Sequence, residues 1–280
     1  MPSVHGSHIV RHSLTTGWSV LKLVWSERLV YRVNFLLEIL SGLFSSVILV
    51  FLWIAIYRSS AKDGIGGYQL ADMVTYILGG GLINTFILTT AENPETSQSI
   101  QDGTLSNLLV TPINPYGVWL VRDLGTKLFL FMVGLAGYVV VLFLFRDLMV
   151  FRLGAGHLIF FLLSLALAAL LQFLIFEALS LLAFWIENTY GIRFTLRVIM
   201  EVVGGAIIPL SFFPQILQDI FLLLPFPFLI YLPMRIYLGK IPLGEIPFEL
   251  LKEMAWIAAL GLVNLVLWRR GLRQYVSMGD

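Results

Sequence analysis

Four stretches of this chain run for at least 18 residues without a formal charge: Ile39–Tyr57, Met73–Ala91, Leu128–Phe145 and Leu153–Phe176. A helix needs about 17–25 apolar residues to cross the hydrocarbon core of a bilayer, and each stretch suffices. Val202–Gln218 is a fifth candidate. Met254–Trp268 is a sixth, extended by Phe248–Leu251, with Lys252 and Glu253 expected to snorkel to the interface. Composition removes the soluble alternative. Only 12% of the 280 residues are charged and 58% are hydrophobic, where a soluble domain carries about 25% charged residues. One aqueous core cannot hide that much apolar surface. The expected class is an all-α membrane protein.

Net charge is +1 and there is no cysteine. Nucleic acid is therefore not an expected partner, and neither a disulfide framework nor a thiolate metal site is expected. Met1–His12 is polar and lacks a signal-peptide pattern, so the first span is expected to insert as a signal anchor.

Residues 13–33 carry Leu14, Trp18, Leu21, Trp25 and Leu29 at helical spacing, with Lys22, Arg28 and Arg32 opposite. This pattern predicts an amphipathic helix lying in the membrane interface. A helix packed on another protein would share the pattern. Spans are expected at about 34–57, 70–91, 117–145, 156–178, 198–218 and 248–268 of one transmembrane domain covering 1–280. Six spans with both termini cytoplasmic put 11 of the 18 Lys and Arg inside and 7 outside, in the sense of the positive-inside rule. That count places Arg122, Lys127, Arg193 and Arg197 on the inner side.

Seven of the 11 prolines fall between residues 209 and 247. Each removes a backbone donor, and broken backbone at membrane depth needs protein or water around it. Ile220–Met234 either spans or dips in and returns. Parity of the termini favours a re-entrant segment over 219–247. The longest polar interval, 92–116, opens with the helix-start signal Asn93-Pro94 and closes at Pro112 and Pro115. Ile100, Leu105, Leu108 and Leu109 give a short helix there an apolar face.

Few catalytic or metal patterns survive inspection. No G-x-x-x-x-G-K-[ST] occurs, and Gly79-Gly80-Gly81 lies inside a span without a following Lys. Its reading is close helix packing, or a helix softened beside a cavity. His5, His8 and His12 sit in a polar tail, and no H-E-x-x-H or G-x-S-x-G is present. Intramembrane carboxylates are functional candidates by default. Glu38 could pair with the basic helix before it. Glu177, flanked by apolar residues on both sides, suits either an interhelical hydrogen bond or a transport role.

The segment Ser99-Ile100-Gln101-Asp102-Gly103-Thr104-Leu105-Ser106-Asn107-Leu108-Leu109-Val110-Thr111-Pro112-Ile113 resembles a motif of ABC exporter permeases of the second type. There the pattern is Ile, two residues, Gly-(Thr/Glu)-Leu, two residues, Leu-Leu, two residues, Pro-Ile. Members often carry Arg before that Pro, where this chain has Thr111. The resemblance implies a permease subunit that pairs with a second, identical or paralogous, and with a separate ABC ATPase subunit holding ATP and Mg. The chain itself would have no catalytic site and bind no cofactor. Its place would be the bacterial plasma membrane, as a multi-pass protein.

The resemblance also assigns residues. Gln98, Ser99, Ile100, Gln101, Asp102, Gly103, Thr104, Leu105, Leu108 and Leu109 would form the ATPase-coupling helix, with Leu105, Leu108 and Leu109 as apolar anchors. Asn84, Phe86 and Ile87 of span two, with Val203, Ile207 and Leu210 of span five, would line the pathway. The apolar lining implies an amphipathic or lipid-like substrate. The alternative is an ion-coupled secondary transporter using Glu38 and Glu177. A lipid-modifying enzyme and a scaffold are further classes, the former without a catalytic constellation.

Overall fold

A computed structural model of the chain describes residues 18–27, 32–60, 64–91, 93–111, 114–151 and 154–277, less the side chains of 32–36, Glu38 and 276–277. The three N-terminal histidines, the flanks of the expected interfacial helix, the side chain of Glu38, and Pro112-Ile113 of the motif lie outside the described residues. The helices are α1 (18–27), α2 (Arg32–Ser59), α3 (Leu70–Ile87), α4 (Glu95–Gln101), α5 (Leu105–Val110), α6 (Pro115–Phe145), α7 (Ala155–Leu181), α8 (Tyr190–Val203), α9 (Gln215–Leu222), α10 (Tyr231–Tyr237) and α11 (Ile246–Ser277). Among the described residues, five helical stretches are long and apolar enough to cross a membrane: Ile39–Ser59, Leu70–Ile87, Pro115–Leu148, Ala155–Phe184 and Ile246–Tyr275.

Contacts fix the direction of each helix. Gly42 lies beside Thr85, and Gly81 faces Ser46 and Tyr138, so α3 runs antiparallel to α2 and α6. Lys127 of α6 meets Ala169 and Gln172 of α7. Asn264 of α11 donates to Leu174 O of α7 at 2.9 Å. α3, α7 and α11 therefore run toward the end that carries α4, while α2, α6 and α8 run away from it. The beginning of α2 and the end of α11 lie at the same end. Large apolar side chains such as Phe44, Ile48, Phe51, Val140, Phe143 and Leu262 are left exposed on the outside. A helix bundle that is apolar on its outer surface is built for lipid.

The expected fifth span, 198–218, is not one helix. α8 stops at Val203. Its 14 residues give about 21 Å at 1.5 Å per residue, short of the ~30 Å hydrocarbon core. The break follows from Gly204-Gly205. Gly205 sits at φ +81°, a region open to glycine and costly for other residues. Both freed carbonyls are met by protein: Tyr76 OH donates to Gly205 O at 2.6 Å, and Tyr231 N to Gly204 O at 3.1 Å. The chain then proceeds through short helical pieces to Ile230, which touches Gly80 at the middle of α3. α10 climbs back beside Gly79, where a methyl would come within 2.8 Å of Met234. By Lys240 it is level with the first turn of α3, Nζ bonding Asp72 at 2.6 Å and Gly67 O at 3.0 Å. The proline-rich stretch thus enters and turns back. The three glycines of α3 also separate: 79 and 80 admit α10, while 81 faces a cavity.

Two ionisable groups lie deeper than the charge pattern suggests. Lys127, counted above among the inner-side charges, is completely buried between α6 and α7. Its ammonium bonds Asp123 one turn away, Gln172 Oε1 and Ala169 O. Glu253, expected to snorkel, is also fully buried, with Ser164 Oγ at 3.5 Å; Lys252 stays exposed and pairs with Glu249. The amphipathic helix packs on its own chain: Val24 is buried, and Trp25 Nε1 donates to Gly125 O at 3.2 Å, while Trp18 is exposed.

Removing one partner of a buried ion pair costs about 3–5 kcal/mol, whereas replacing both with apolar residues is often neutral. Asp123→Ala should therefore lower the thermal unfolding midpoint of the detergent-purified protein sharply. The double variant Asp123→Leu/Lys127→Met should stay near wild type. Equal losses in the two would show that the pair is not the stabilising unit.

Candidate functional site

The interval between α3 and α6 folds as two short helices. At α4, Asn93 Oδ1 accepts from the Glu95 N–H at 3.3 Å, and Pro94 precedes the first turn. Thr96, Ser97 and Ile100 form one buried face, leaving Gln98, Gln101 and Asp102 outward. Gly103, at φ +74°, ends α4, and the chain restarts at Leu105. The single helix expected over 98–109 is therefore bent at its glycine. Pro115 then opens α6, with Asn114 Oδ1 capping the Tyr116 N–H at 3.1 Å.

The apolar face turns inward. Leu105 is fully buried and Ile100 nearly so, in a cluster with Trp119, Phe173, Leu181 and Phe184. Leu108 packs against its edge. These side chains hold the segment to its own chain, so Leu105 and Ile100 cannot anchor an outside partner. Leu109, 40% exposed, and Val110, 88% exposed, point outward with Ser106 and Asn107. A short helix with an apolar face reads the same whether its own core or a partner covers that face. The sequence pattern alone did not distinguish the two.

Polar contacts fasten the segment to four further elements. Arg122 of α6 pairs with Glu95 and, at 3.3 Å, with Glu27 of α1. Thr96 Oγ1 donates to Glu177 Oε2 of α7 at 3.1 Å, so Glu177 makes an interhelical hydrogen bond to α4. Arg193 of α8, 3% exposed, donates to Ala91 O at 3.1 Å and to Asn93 O. Tyr275 OH of α11 donates to Gly103 O at 2.8 Å. Gln101 Nε2 donates to the Glu187 carbonyl in the α7–α8 connection. The bonds of Arg122 and Arg193 are charge-assisted, roughly twice as strong as neutral ones. A displacement of α4 would thus be felt directly by α6, α7, α8 and α11, and by α1 through Arg122.

Beside α4 and α5 lies an open groove of about 760 Å³, bounded by Gln101, Ser106, Trp185, Glu187 and Tyr275. Trp185 and Ile186 are each about 40% exposed there. Together with Leu109 and Val110 they give this end of the molecule an apolar surface.

A second cavity, of about 410 Å³, lies between α2, α3 and α8. It sorts the six expected pathway residues. Asn84 and Ile207 line it. Ile87, Val203 and Leu210 are buried in the protein's own packing. Phe86 stacks edge-on against Phe131 of α6 at 5.3 Å. Rotation about a helix axis decides such placements, and an all-apolar span has no polar face to reveal it. Of the ion pair Arg197–Glu201, also on this wall, only Arg197 entered the charge count, as an inner-side charge.

Leu105→Ala should destabilise the protein by about 2–5 kcal/mol, as expected for a buried leucine, while Leu109→Ala should change stability by no more than about 0.5 kcal/mol. Thermal unfolding of the two purified variants checks this, and similar losses would contradict the inward orientation of Leu105.

Residues 43–279 match the family described as ABC-2 family transporter protein. No curated protein sequence matches the chain.

Proposed function

Because the chain belongs to the ABC-2 family of transporter membrane proteins, we propose that it is the permease subunit of an ATP-driven exporter. A separate ABC ATPase subunit, carrying ATP and Mg, docks at the α4–α5 end and drives a pair of permeases, identical or paralogous. The proposal puts that end and both termini in the cytoplasm of a bacterium, with six crossings of the plasma membrane. α8 and the broken segment after it make the fifth, and 219–247 re-enters from the outside. The cargo is amphipathic or lipid-like and passes between the two subunits.

The observation that carries this reading is the mechanical arrangement at α4. One face of the segment is fixed by Leu105, Ile100 and the bonds to Glu177, Arg122, Arg193 and Tyr275. The opposite face exposes Leu109 and Val110. A partner gripping that face moves a piece wired to four other helices. Exposed apolar anchors ringed by polar groups are what a small protein–protein contact uses. Glu177 supports this reading more than the ion-coupled alternative, since its partner is Thr96 of the coupling segment.

The reading predicts that the chain copurifies with an ATPase and that the complex alone turns over ATP. Leu109→Asp/Val110→Asp should release the ATPase while leaving the permease monodisperse and thermally unchanged. Transport by the chain alone, driven by an ion gradient, would overturn it.

A further inference from the structure

α8 is held to α3 and its extension at two points. Arg193 grips the carbonyls of Ala91 and Asn93 at one end, and Tyr76 grips Gly205 at the other. Between the two pins α8 stands off, and the gap is the cavity of about 410 Å³. That is within the ~300–1,000 Å³ of small-molecule sites.

Its walls are graded. The end toward α4 carries Arg197 and Glu201 of α8 facing Thr89 and Asn84 of α3. The far end is closed by Leu49, Ile77 and Ile207. Charged side chains on a helix within an apolar bundle mark ligand pathways by default. The Arg197–Glu201 pair spans 3.5 Å, longer than the 2.7–2.9 Å of a well-made charge-assisted bond.

The polar wall offers mostly acceptors. Thr85 Oγ1 donates to Gly81 O at 3.0 Å and Ser46 Oγ to Gly42 O at 2.9 Å, so each is left as an acceptor on this wall, with the Tyr138 hydroxyl 3.2 Å from Ser46 Oγ taking up part of that capacity. Asn84 Oδ1 is buried with no hydrogen-bond partner among the described residues, and a buried acceptor left unmet is costly. Glu201 adds a negative charge. Acceptors around a carboxylate suit an ammonium with its three donors, and Arg197 beside them suits an anion. A purely anionic ligand would meet Glu201, and a purely cationic one Arg197.

We propose that this cavity binds the headgroup of a zwitterionic amphiphile bearing a primary ammonium and an anionic group. The ammonium lies between Glu201 and Asn84, the anion lies against Arg197, and the tail runs toward Ile77 and Ile207. The inference deepens the exporter reading by naming its cargo class, and on that reading's orientation the headgroup comes from the cytoplasmic leaflet.

The test uses the full chain with its ATPase in maltoside micelles, titrated without nucleotide and read by native mass spectrometry. The probes are dihexanoyl phosphatidylethanolamine, dihexanoyl phosphatidylglycerol and octyl glucoside. The ethanolamine lipid should bind at least tenfold tighter than either of the others. Glu201→Gln should weaken it at least tenfold and leave the glycerol lipid no weaker. Ile207→Trp, which fills the cavity, should abolish retention. Should Glu201→Gln fold poorly, Asn84→Asp serves instead and should tighten ethanolamine-lipid binding at least threefold while weakening the glycerol lipid. Equal affinity for the two lipids, unchanged binding in Ile207→Trp, or the opposite response to Asn84→Asp overturns the site. Binding is read without nucleotide, so a chain that held the lipid but no ATPase would sink the exporter reading alone.

Discussion

Where this chain breaks at Gly204-Gly205, inside its apolar body, the freed carbonyls need donors that water is not there to supply, and the breaks at the α4 end are met by protein donors as well. The fold is organised around meeting that need. Tyr76 reaches Gly205 O, Tyr231 N reaches Gly204 O, Arg193 reaches Ala91 O and Asn93 O, and Tyr275 reaches Gly103 O. The partners lie from 27 positions apart in sequence, for Gly204 and Tyr231, to 172, for Gly103 and Tyr275. These bonds occur where helices break, so the breaks are the joints of the molecule. α8 can stop short, and 219–247 can turn back, because α3 and α10 provide the missing partners.

The same demand accounts for the buried charges. Lys127 sits among Asp123, Gln172 and the Ala169 carbonyl, with its donors distributed over two helices. Such a group is costly to bury and costly to orphan. The arrangement locks α6 to α7 in one register. Asn264 does the same between α11 and α7, donating to Leu174 O and Leu260 O. The apolar side chains supply area without selecting a register, and these few polar groups select it.

How far all this could be read beforehand depended on whether the partner was local. The apolar runs, the proline-broken stretch over 219–247 and the bracketed polar interval from Asn93 to Pro115 are properties of neighbouring residues, and they were legible. That 198–218 is not one helix was not legible, because hydropathy does not register a glycine pair whose carbonyls are capped from α3 and α10. The depth of Lys127 and Glu253 was not legible, because their surroundings come from α7. At the candidate coupling segment the boundaries and the apolar face were visible. Which way Leu105 points was not, since that is settled by Trp119, Phe173 and Phe184.

The two joints that hold α8 both grip main-chain oxygen atoms: Gly205 O at one end, Ala91 O and Asn93 O at the other. A carbonyl is present whatever side chain it belongs to. The cavity-facing positions 197, 201, 206 and 207 lie between or beside these joints without forming them. Their side chains are thus free to drift during evolution without loosening the helix that displays them. A family of such proteins could diversify what it holds by changing a handful of residues on one surface, keeping a single architecture throughout.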